Sequence, residues 1–468
     1  MRKNTKGSLT VFLALTMMMF LSFCLVLVEG SRIWCYRAKA VQAAELTEFS
    51  ILSEYQPELF KQYGLFFLDL DYAQGEERTD ILNSRAEKYL GINIPEVNST
   101  FLNTDHFSRA TDAEGSPFFR QVITQMKFDT GLSLAEDFLE RAGQMTGEKT
   151  DLESKLQETQ NHADGCARQV EQEMNREKEE EEEEEAEEEE KDSVLVHISV
   201  PNITFPSVDA LTAAVFGDTG DLSEISIDLK ERLEKRSLKQ GVGSKEGVSF
   251  LEMQLFHGYL FSYLNHYGVN NPKASKETLQ YQLEYVISGR KSDRENLENV
   301  MWRIFLLRAG GNYLFFHQQG EKLAIAQEEA LALVGFTGNP ALIEAVTELL
   351  LMKEAIEDGI TETRQIFAGE KVPLVQNGTS FGVEIGYEEY LYLFLNLTDK
   401  KEKILRTMDV AELEIRALSG YEKFSMDHCV DRMELQWKYE FPSLFVRTPL
   451  SESGNYEYTI TRKIYYEN

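Results

Sequence analysis

The chain has 468 residues, 42% hydrophobic and 11% aromatic, with a formal net charge of −31. This apolar content supplies a sizeable core and excludes the intrinsically disordered class for most of the length. The acidity argues against a nucleic-acid partner, which needs clustered Lys and Arg over phosphates, and against flat docking on an anionic lipid surface.

Residues 1–8 form a basic flank carrying Arg2, Lys3 and Lys6. Residues 9–28, from Leu9 to Val28, then run for twenty positions without a charge. At about 1.5 Å per residue this spans a hydrocarbon layer of about 30 Å, and in lipid such a run must be helical to pair its own backbone. The run is longer than a signal-peptide core, and Glu29-Gly30-Ser31 follows it without an Ala-x-Ala site, so a retained membrane anchor is expected. The acid-free N-terminal flank predicts a cytoplasmic N-terminus with the bulk of the chain outside. Trp34 and Tyr36 stand where an interfacial aromatic belt is expected. Residues 29–56, rich in Ala and Glu and without proline until Pro57, are expected to continue as a helical stalk.

Gly7-Ser8-Leu9-Thr10-Val11-Phe12-Leu13-Ala14-Leu15 and then Glu29-Gly30-Ser31-Arg32 resemble the N-terminus of TadE/TadG-type pseudopilins, minor pilin-like proteins of tight-adherence (Tad, Flp) pilus systems. The resemblance implies a single-pass membrane protein, a possible processing site between Gly7 and Ser8, and partnership with other membrane-anchored pilus or secretion proteins. The acidic position of the pilin pattern falls at Phe12 here.

Residues 57–170 are expected to form a first, helix-rich extracytoplasmic region. Tyr63-Gly64-Leu65-Phe66-Phe67-Leu68-Asp69 opens it, and two later blocks run from Tyr281 to Asp293 and from Gly369 to Leu374. These three blocks resemble a bacterial family of unknown function encoded near Tad pilus genes, which implies no catalytic or binding residue. Residues 171–193 are an acidic low-complexity tract, with twelve Glu and one Lys between Glu177 and Glu190; like charges one turn apart make a marginal helix or a solvated linker. Residues 194–247 hold a β-like segment, Val194–Val200, closed by Pro201 and Pro206, and then a flexible joint from Lys239 to Gly247.

Residues 248–420 read as a helical domain. Ser292-x-x-Glu295 is a capping box, the stripe Leu342, Ala345, Val346, Leu349, Leu350 and Ile356 has helical spacing, and Asp399 starts another helix. Residues 421–468 change period: Met433, Leu435, Trp437, Tyr439 and Phe441 alternate, as do Tyr456, Tyr458 and Ile460, predicting a paired hairpin. The fold class expected is α+β, mostly α, on an N-terminal transmembrane helix, with a short C-terminal antiparallel β element.

Several motifs invite chemistry, and each has a simpler reading. Gly378-Thr379-Ser380-Phe381-Gly382 fits a nucleophile-elbow pattern, which needs a strand before and a helix after; with Pro373 before it and the alternating Val383-Glu384-Ile385 after it, a turn in a loop explains it better. Gly241-Val242-Gly243-Ser244-Lys245-Glu246-Gly247 fits neither phosphate-loop spacing. Asp427-His428-Cys429 offers three metal ligands in a row, a spacing that cannot readily face one ion. Glu344 and Glu348 fit a surface helix face better than an acid/base pair. Phe250, Phe256, Tyr259, Phe261 and Tyr263 fit core packing better than a binding groove. Cys24, Cys35, Cys166 and Cys429 form no CxxC, and a Cys166–Cys429 pair is weaker than the reading of small hydrophobes. No catalytic, cofactor-binding or metal residue is therefore assigned. Membrane lipid and other anchored proteins are the expected partners, with no nucleic acid and no evident small-molecule substrate. The expected function is a non-catalytic, pseudopilin-like component or accessory of a Tad-type apparatus. The alternatives are a cell-envelope binding or adhesion module and, resting on Ser380 alone, an anchored serine hydrolase.

Overall fold

The computed structural model describes residues 6–72, 76–95, 98–146, 205–217, 220, 222–245, 247–268, 277–376, 379–445 and 455–466. The acidic tract, Val194–Val200 and Cys166 lie outside the described residues. The helices are α1 Lys6–Leu52, α2 Pro57–Tyr63, α3 Thr79–Asn93, α4 Asp112–Thr146, α5 Val208–Phe216, α6 Phe250–Tyr263, α7 Gln282–Ser288, α8 Asp293–Gln318, α9 Gly320–Val334, α10 Pro340–Phe367, α11 Tyr387–Leu397 and α12 Lys400–Arg416. The strands are β1 Leu68–Asp69, β2 Asn98–Arg109, β3 Val372–Gln376, β4 Thr379–Ile385, β5 Cys429–Phe441 and β6 Tyr456–Tyr465. The chain is mostly helical, with a long apolar N-terminal helix and a small antiparallel sheet that includes the C-terminal strands. It divides into two units: residues 1–129, 236–249 and 408–468, and residues 130–235 and 250–407.

In the first unit α1 is one helix of 47 residues. Its distal half repeats small or apolar residues every three or four positions. Ala40, Ala43, Ala44, Thr47 and Ile51 are all buried, and the apolar ones pack against Leu435, Trp437 and Tyr439 of β5 and Ile460 and Ile464 of β6. The expected stalk is thus part of a core rather than a free rod. Leu52 ends it, and α2 begins after Gln56, whose side chain accepts from the Leu59 N–H.

β5 is the centre of the sheet. Its buried residues alternate as expected, Met433, Leu435, Trp437, Tyr439 and Phe441, and it pairs antiparallel with β6 from Arg432↔Tyr465 to Phe441↔Tyr456. Its other edge pairs with β2 from Asn98↔Glu440 to Arg109↔Val430. Val430 and Arg432 both pair with β2, so β1, which pairs with Val430, shares the opposite edge with β6. β2 lies within the stretch 57–170, which also holds α2, α3 and α4. Register shifts between Phe101/Asn103, Asp105/Ser108 and Ser108/Arg109 break the period of two, so a half-buried strand shows no alternation in its sequence.

The segment 236–249 corrects the expectation that Lys239–Gly247 is a flexible joint. The Asp112 carboxylate accepts from the N–H groups of Gly241 (2.7 Å), Gly243 (2.9 Å) and Arg109 (2.9 Å), while the Val242 N–H donates to the Phe107 carbonyl (2.8 Å). A Cβ at Gly241 would lie 2.2 Å from the Phe107 carbonyl oxygen, and one at Gly243 would lie 2.5 Å from the Asp112 Cβ. The glycines permit the close approach; they do not mark looseness.

The second unit is a helical assembly around α8 and α10. Ser292 caps α8 by accepting from the Glu295 N–H at 3.3 Å, and Glu295 reaches back to the Lys291 N–H at 3.1 Å. In α10, Leu342, Val346, Leu349 and Ile356 are buried, and Gly359 lets the helix approach α8, where a Cβ would lie 3.0 Å from that of Ala309. Within the expected helical stretch 248–420 stands an antiparallel hairpin, β3–β4, with Val372↔Ile385 in register. Gly369, at φ 87°, lies just past the end of α10, and the β-branched residues around Pro373 favour an extended chain. Asp399 Oδ1 accepts from the N–H groups of Lys401 (2.8 Å) and Glu402 (3.3 Å) at the start of α12. Asp399→Ala should cost about 1 kcal/mol, read as a lower urea midpoint, while Asp399→Asn should retain most of it.

Candidate functional site

Among the described residues, little packs on the proximal half of α1. Leu9 is 67% exposed, Phe12 64%, Met19 76% and Val28 49%. An apolar surface of this extent calls for a covering. It belongs to a helix long and apolar enough to cross a membrane. The hydroxyls within it are satisfied locally: Thr16 donates to the Leu13 carbonyl and Ser22 to the Met19 carbonyl, both at 2.9 Å. Neither brings an unmet donor into an apolar medium. Gly7 and Ser8 lie in the first turn of α1, and the Ser8 side chain falls outside what the structure describes. Cys24 is half-buried and Cys35 is exposed.

The two halves of α1 meet at Glu29, which is 2% exposed. Its carboxylate accepts from Arg32 (2.8 Å) and from the Leu444 N–H (3.1 Å). The two aromatic positions behave differently. Trp34 is 77% exposed. Tyr36 instead stacks on Phe441 with ring centroids 5.2 Å apart, so packing on the protein accounts for it.

The first unit also carries a polar network. Arg236 donates to both Glu412 oxygens (2.6 and 2.7 Å), to Ser425 (2.9 Å) and to Asp427 (3.1 Å). Burial works to raise the Asp427 carboxyl, but the Ser425 hydroxyl and the Arg236 guanidinium outweigh it and hold it below the usual range. Arg109 donates to Glu77 and to the Asp427 carbonyl, and the Lys239 ammonium also reaches Glu77. The Asp427-His428-Cys429 triplet separates: Asp427 meets Arg236, His428 Nδ1 lies 3.0 Å from Asp71, and the Cys429 thiol donates to the Ser425 carbonyl. Burial pushes that thiol well up. Among the described residues no three His, Cys, Asp or Glu side chains are grouped to hold a metal.

In the second unit the block Tyr281–Asp293 is α7 and the clamped turn that follows it. The Asp293 carboxylate accepts from Gln280 N–H (2.9 Å), Tyr281 N–H (3.1 Å) and the Ser223 hydroxyl (2.5 Å). Arg406 donates to the Val286 and Ile287 carbonyls (both 3.0 Å) at the C-terminus of α7, where a cation is favoured. Arg232 donates to the carbonyls of Gly289 and Arg290. Gly289 sits at φ 61°, and a Cβ there would lie 2.6 Å from the Arg406 guanidinium carbon.

Inside the clamp, Glu284 is fully buried. One oxygen accepts from the Tyr387 hydroxyl (2.5 Å) and the Tyr267 N–H (2.8 Å); the other is buried and has no hydrogen-bond partner among the described residues. Burial pushes this carboxyl up to about 7. Tyr267, Phe367 and Tyr387 pack on one another around it, with centroid separations of 4.8 to 6.0 Å.

The remaining candidates fall apart as sites. Ser380 is the second residue of β4, with a strand after it where an elbow needs a helix; Gly378 lies outside the described residues. Glu348 accepts from Tyr313 (2.5 Å) and lies 3.1 Å from His317, while Glu344 is exposed. Phe256 and Tyr259 are buried, Phe261 and Tyr263 half-buried and Phe250 half exposed, so no groove is built from them. Sequence reasoning missed Asp112, Arg236 and Glu284. For Glu284 a signal was present: a lone acid between Leu283 and Tyr285-Val286-Ile287 in a run otherwise fit for burial.

A family model described as a family of unknown function (DUF5702) matches residues 184–386 and 382–441, more than half of the chain. No curated protein and no solved structure matches it.

Proposed function

The chain belongs to this family of unknown function, and we propose that it is a non-catalytic, membrane-anchored, pseudopilin-like component or accessory of a Tad-type pilus or secretion apparatus. The reading puts its N-terminus in the cytoplasm and the bulk of its chain outside. The carrying observation is α1 itself: one unbroken helix, bare and apolar from Leu9 to Val28 and built into a core from Ala40 to Ile51. Movement of the span in a bilayer is thereby passed directly to the sheet. The resemblance of Gly7–Leu15 and Glu29–Arg32 to TadE/TadG-type N-termini supplies the rest.

Lateral packing of the span is the mechanism. Ser8, Thr10, Thr16 and Ser22 let another apolar helix make close or polar contacts. Phe12 stands where pilins carry an acid, and Glu29 is engaged by Arg32 and Leu444. Neither supplies a free carboxylate to a neighbour, so contact does not rest on a buried charge.

Mass spectrometry of the mature N-terminus, from protein purified out of its native membrane, tests this. A chain starting at Ser8 indicates prepilin-type processing and favours the pseudopilin component despite Phe12. A chain retaining Arg2, Lys3 and Lys6 would replace the pseudopilin reading with a fixed anchor on an assembly factor. Orientation is tested separately: protease added to intact, wall-stripped cells should degrade the large domain, and full protection would overturn the outside placement.

A further inference from the structure

We infer that the turn leaving β5 is a second membrane contact, seating Leu444 and Phe445 in the lipid interface beside the point where α1 leaves the bilayer. The inference rests on the reading of Leu9–Val28 as a membrane span.

Three contacts, in order, show where this turn goes. Phe441, the last residue of β5, stacks on Tyr36 at 5.2 Å. Pro442 offers its carbonyl to Arg32 at 3.4 Å. Leu444 donates its N–H to Glu29 at 3.1 Å. As the turn advances from Phe441 to Leu444, its partner on α1 steps back from Tyr36 to Glu29, about 10 Å down the helix axis. The turn therefore descends along α1 towards Val28, where the uncharged run ends.

At the foot of that descent two apolar side chains face outwards, Leu444 at 62% and Phe445 at 48% exposure. Trp34 is 77% exposed; five residues beyond Glu29, it points about 140° round the helix from the buried Glu29 and stands about 8 Å higher. Apolar and aromatic groups thus flank the exit point on two sides. A layer at this height is where Trp and large apolar side chains are favoured and where a partly apolar surface loses contact with water. The occupant is lipid, because the patch continues the bare face of the span. Burial of the Glu29 carboxylate against Arg32 and the Leu444 N–H fits the same location: its charge is met by the protein, at a level where water is scarce.

The test uses the full chain, with Cys24, Cys35 and Cys166 changed to serine, in phosphatidylcholine vesicles. A nitroxide is attached at Phe445→Cys, and in parallel at Leu444→Cys, Met18→Cys and Glu328→Cys. Collision rates with oxygen and with a water-soluble nickel chelate report depth. The labels at 445 and 444 should be several-fold less accessible to nickel than the one at 328, and oxygen-rich like the one at 18. If 445 and 444 match 328 while 18 is oxygen-rich, the second contact is wrong and the anchor stands. If 18 itself reads as water-exposed, the anchor reading fails and takes this inference with it. Shielding of 445 and 444 from both reagents would indicate cover by another copy of the chain and overturn the assignment to lipid.

Discussion

Replacing Arg236 with alanine should lower the unfolding free energy of the first unit by about 3–5 kcal/mol, the usual cost of removing one partner from a buried ion pair. The guanidinium donates to both oxygens of Glu412, to Ser425 and to Asp427. Glu412 also accepts from the Met426 N–H at 2.8 Å and from Arg416 at 2.7 Å. Alanine would leave two buried carboxylates with Arg416 as the remaining cation on Glu412, and the backbone from 236 to 249 would lose its first fastening. Arg236→Lys should recover only part, since an ammonium cannot meet both carboxylate oxygens in the planar fork geometry. Fluorescence of the buried Trp437 during urea unfolding reads the effect. An unchanged midpoint in Arg236→Ala would mean that desolvation of the three charges cancels their attraction. The acid limb should change as well. The native Asp427 carboxyl titrates below its ordinary range, so its contribution is present at neutral pH and lost as pH falls. That loss should shrink in the alanine variant.

The second large effect is a pH dependence carried by Glu284. Its carboxyl, ordinarily near 4.5, is pushed up to about 7 by burial; the Tyr387 hydroxyl and the Tyr267 N–H pull it partly back, and Asp293 adds to the rise. The folded chain therefore holds this proton over a range where the unfolded chain has released it. Stability from this group is complete below pH 4.5 and is lost as pH rises through about 7. The loss is on the order of 3 kcal/mol by pH 8. Glu284→Gln keeps the acceptor for Tyr387 and Tyr267 and never ionises. The stability of the variant minus that of the parent should therefore rise by about that amount between pH 5 and pH 8, whatever the other groups contribute. A difference that stays flat across this range would show that Glu284 titrates normally and that the site admits water.

The sequence announces elements whose physics is local. The uncharged run from Leu9 to Val28, the alternation from Met433 to Phe441, and the caps at Ser292 and Asp399 each show their cause within a few residues, and each takes the form expected. β2 was illegible because its bulges destroy the period that betrays a strand, and because much of it is polar. The glycine-rich stretch from Gly241 to Gly247 misled for a related reason. Glycine signals both freedom and close approach, and only Asp112, some 129 residues earlier, decides between them. Glu284 differs again: its burial depends on Tyr387 and Tyr267 arriving from other parts of the chain. The same holds for the docking of Tyr36, where an aromatic at the edge of an apolar run suits both a membrane belt and Phe441.

The placement of β5 at the centre of the sheet sets a timetable for the ribosome. α1 is made first and meets Leu82, Ala86 and Leu90 of α3 soon after, but the core around Ala40, Ala43, Ala44 and Ile51 is not complete until β5 and β6 are made, and Arg109 waits 318 residues for Asp427. The nested second unit, in contrast, has all its residues between 130 and 407 and can close before the first is complete. A nascent chain stopped between Arg109 and Cys429 presents β2 as an unpaired strand edge beside an apolar core that lacks its sheet. Truncated or stalled products of this gene should therefore aggregate or be degraded rather than persist as partial proteins.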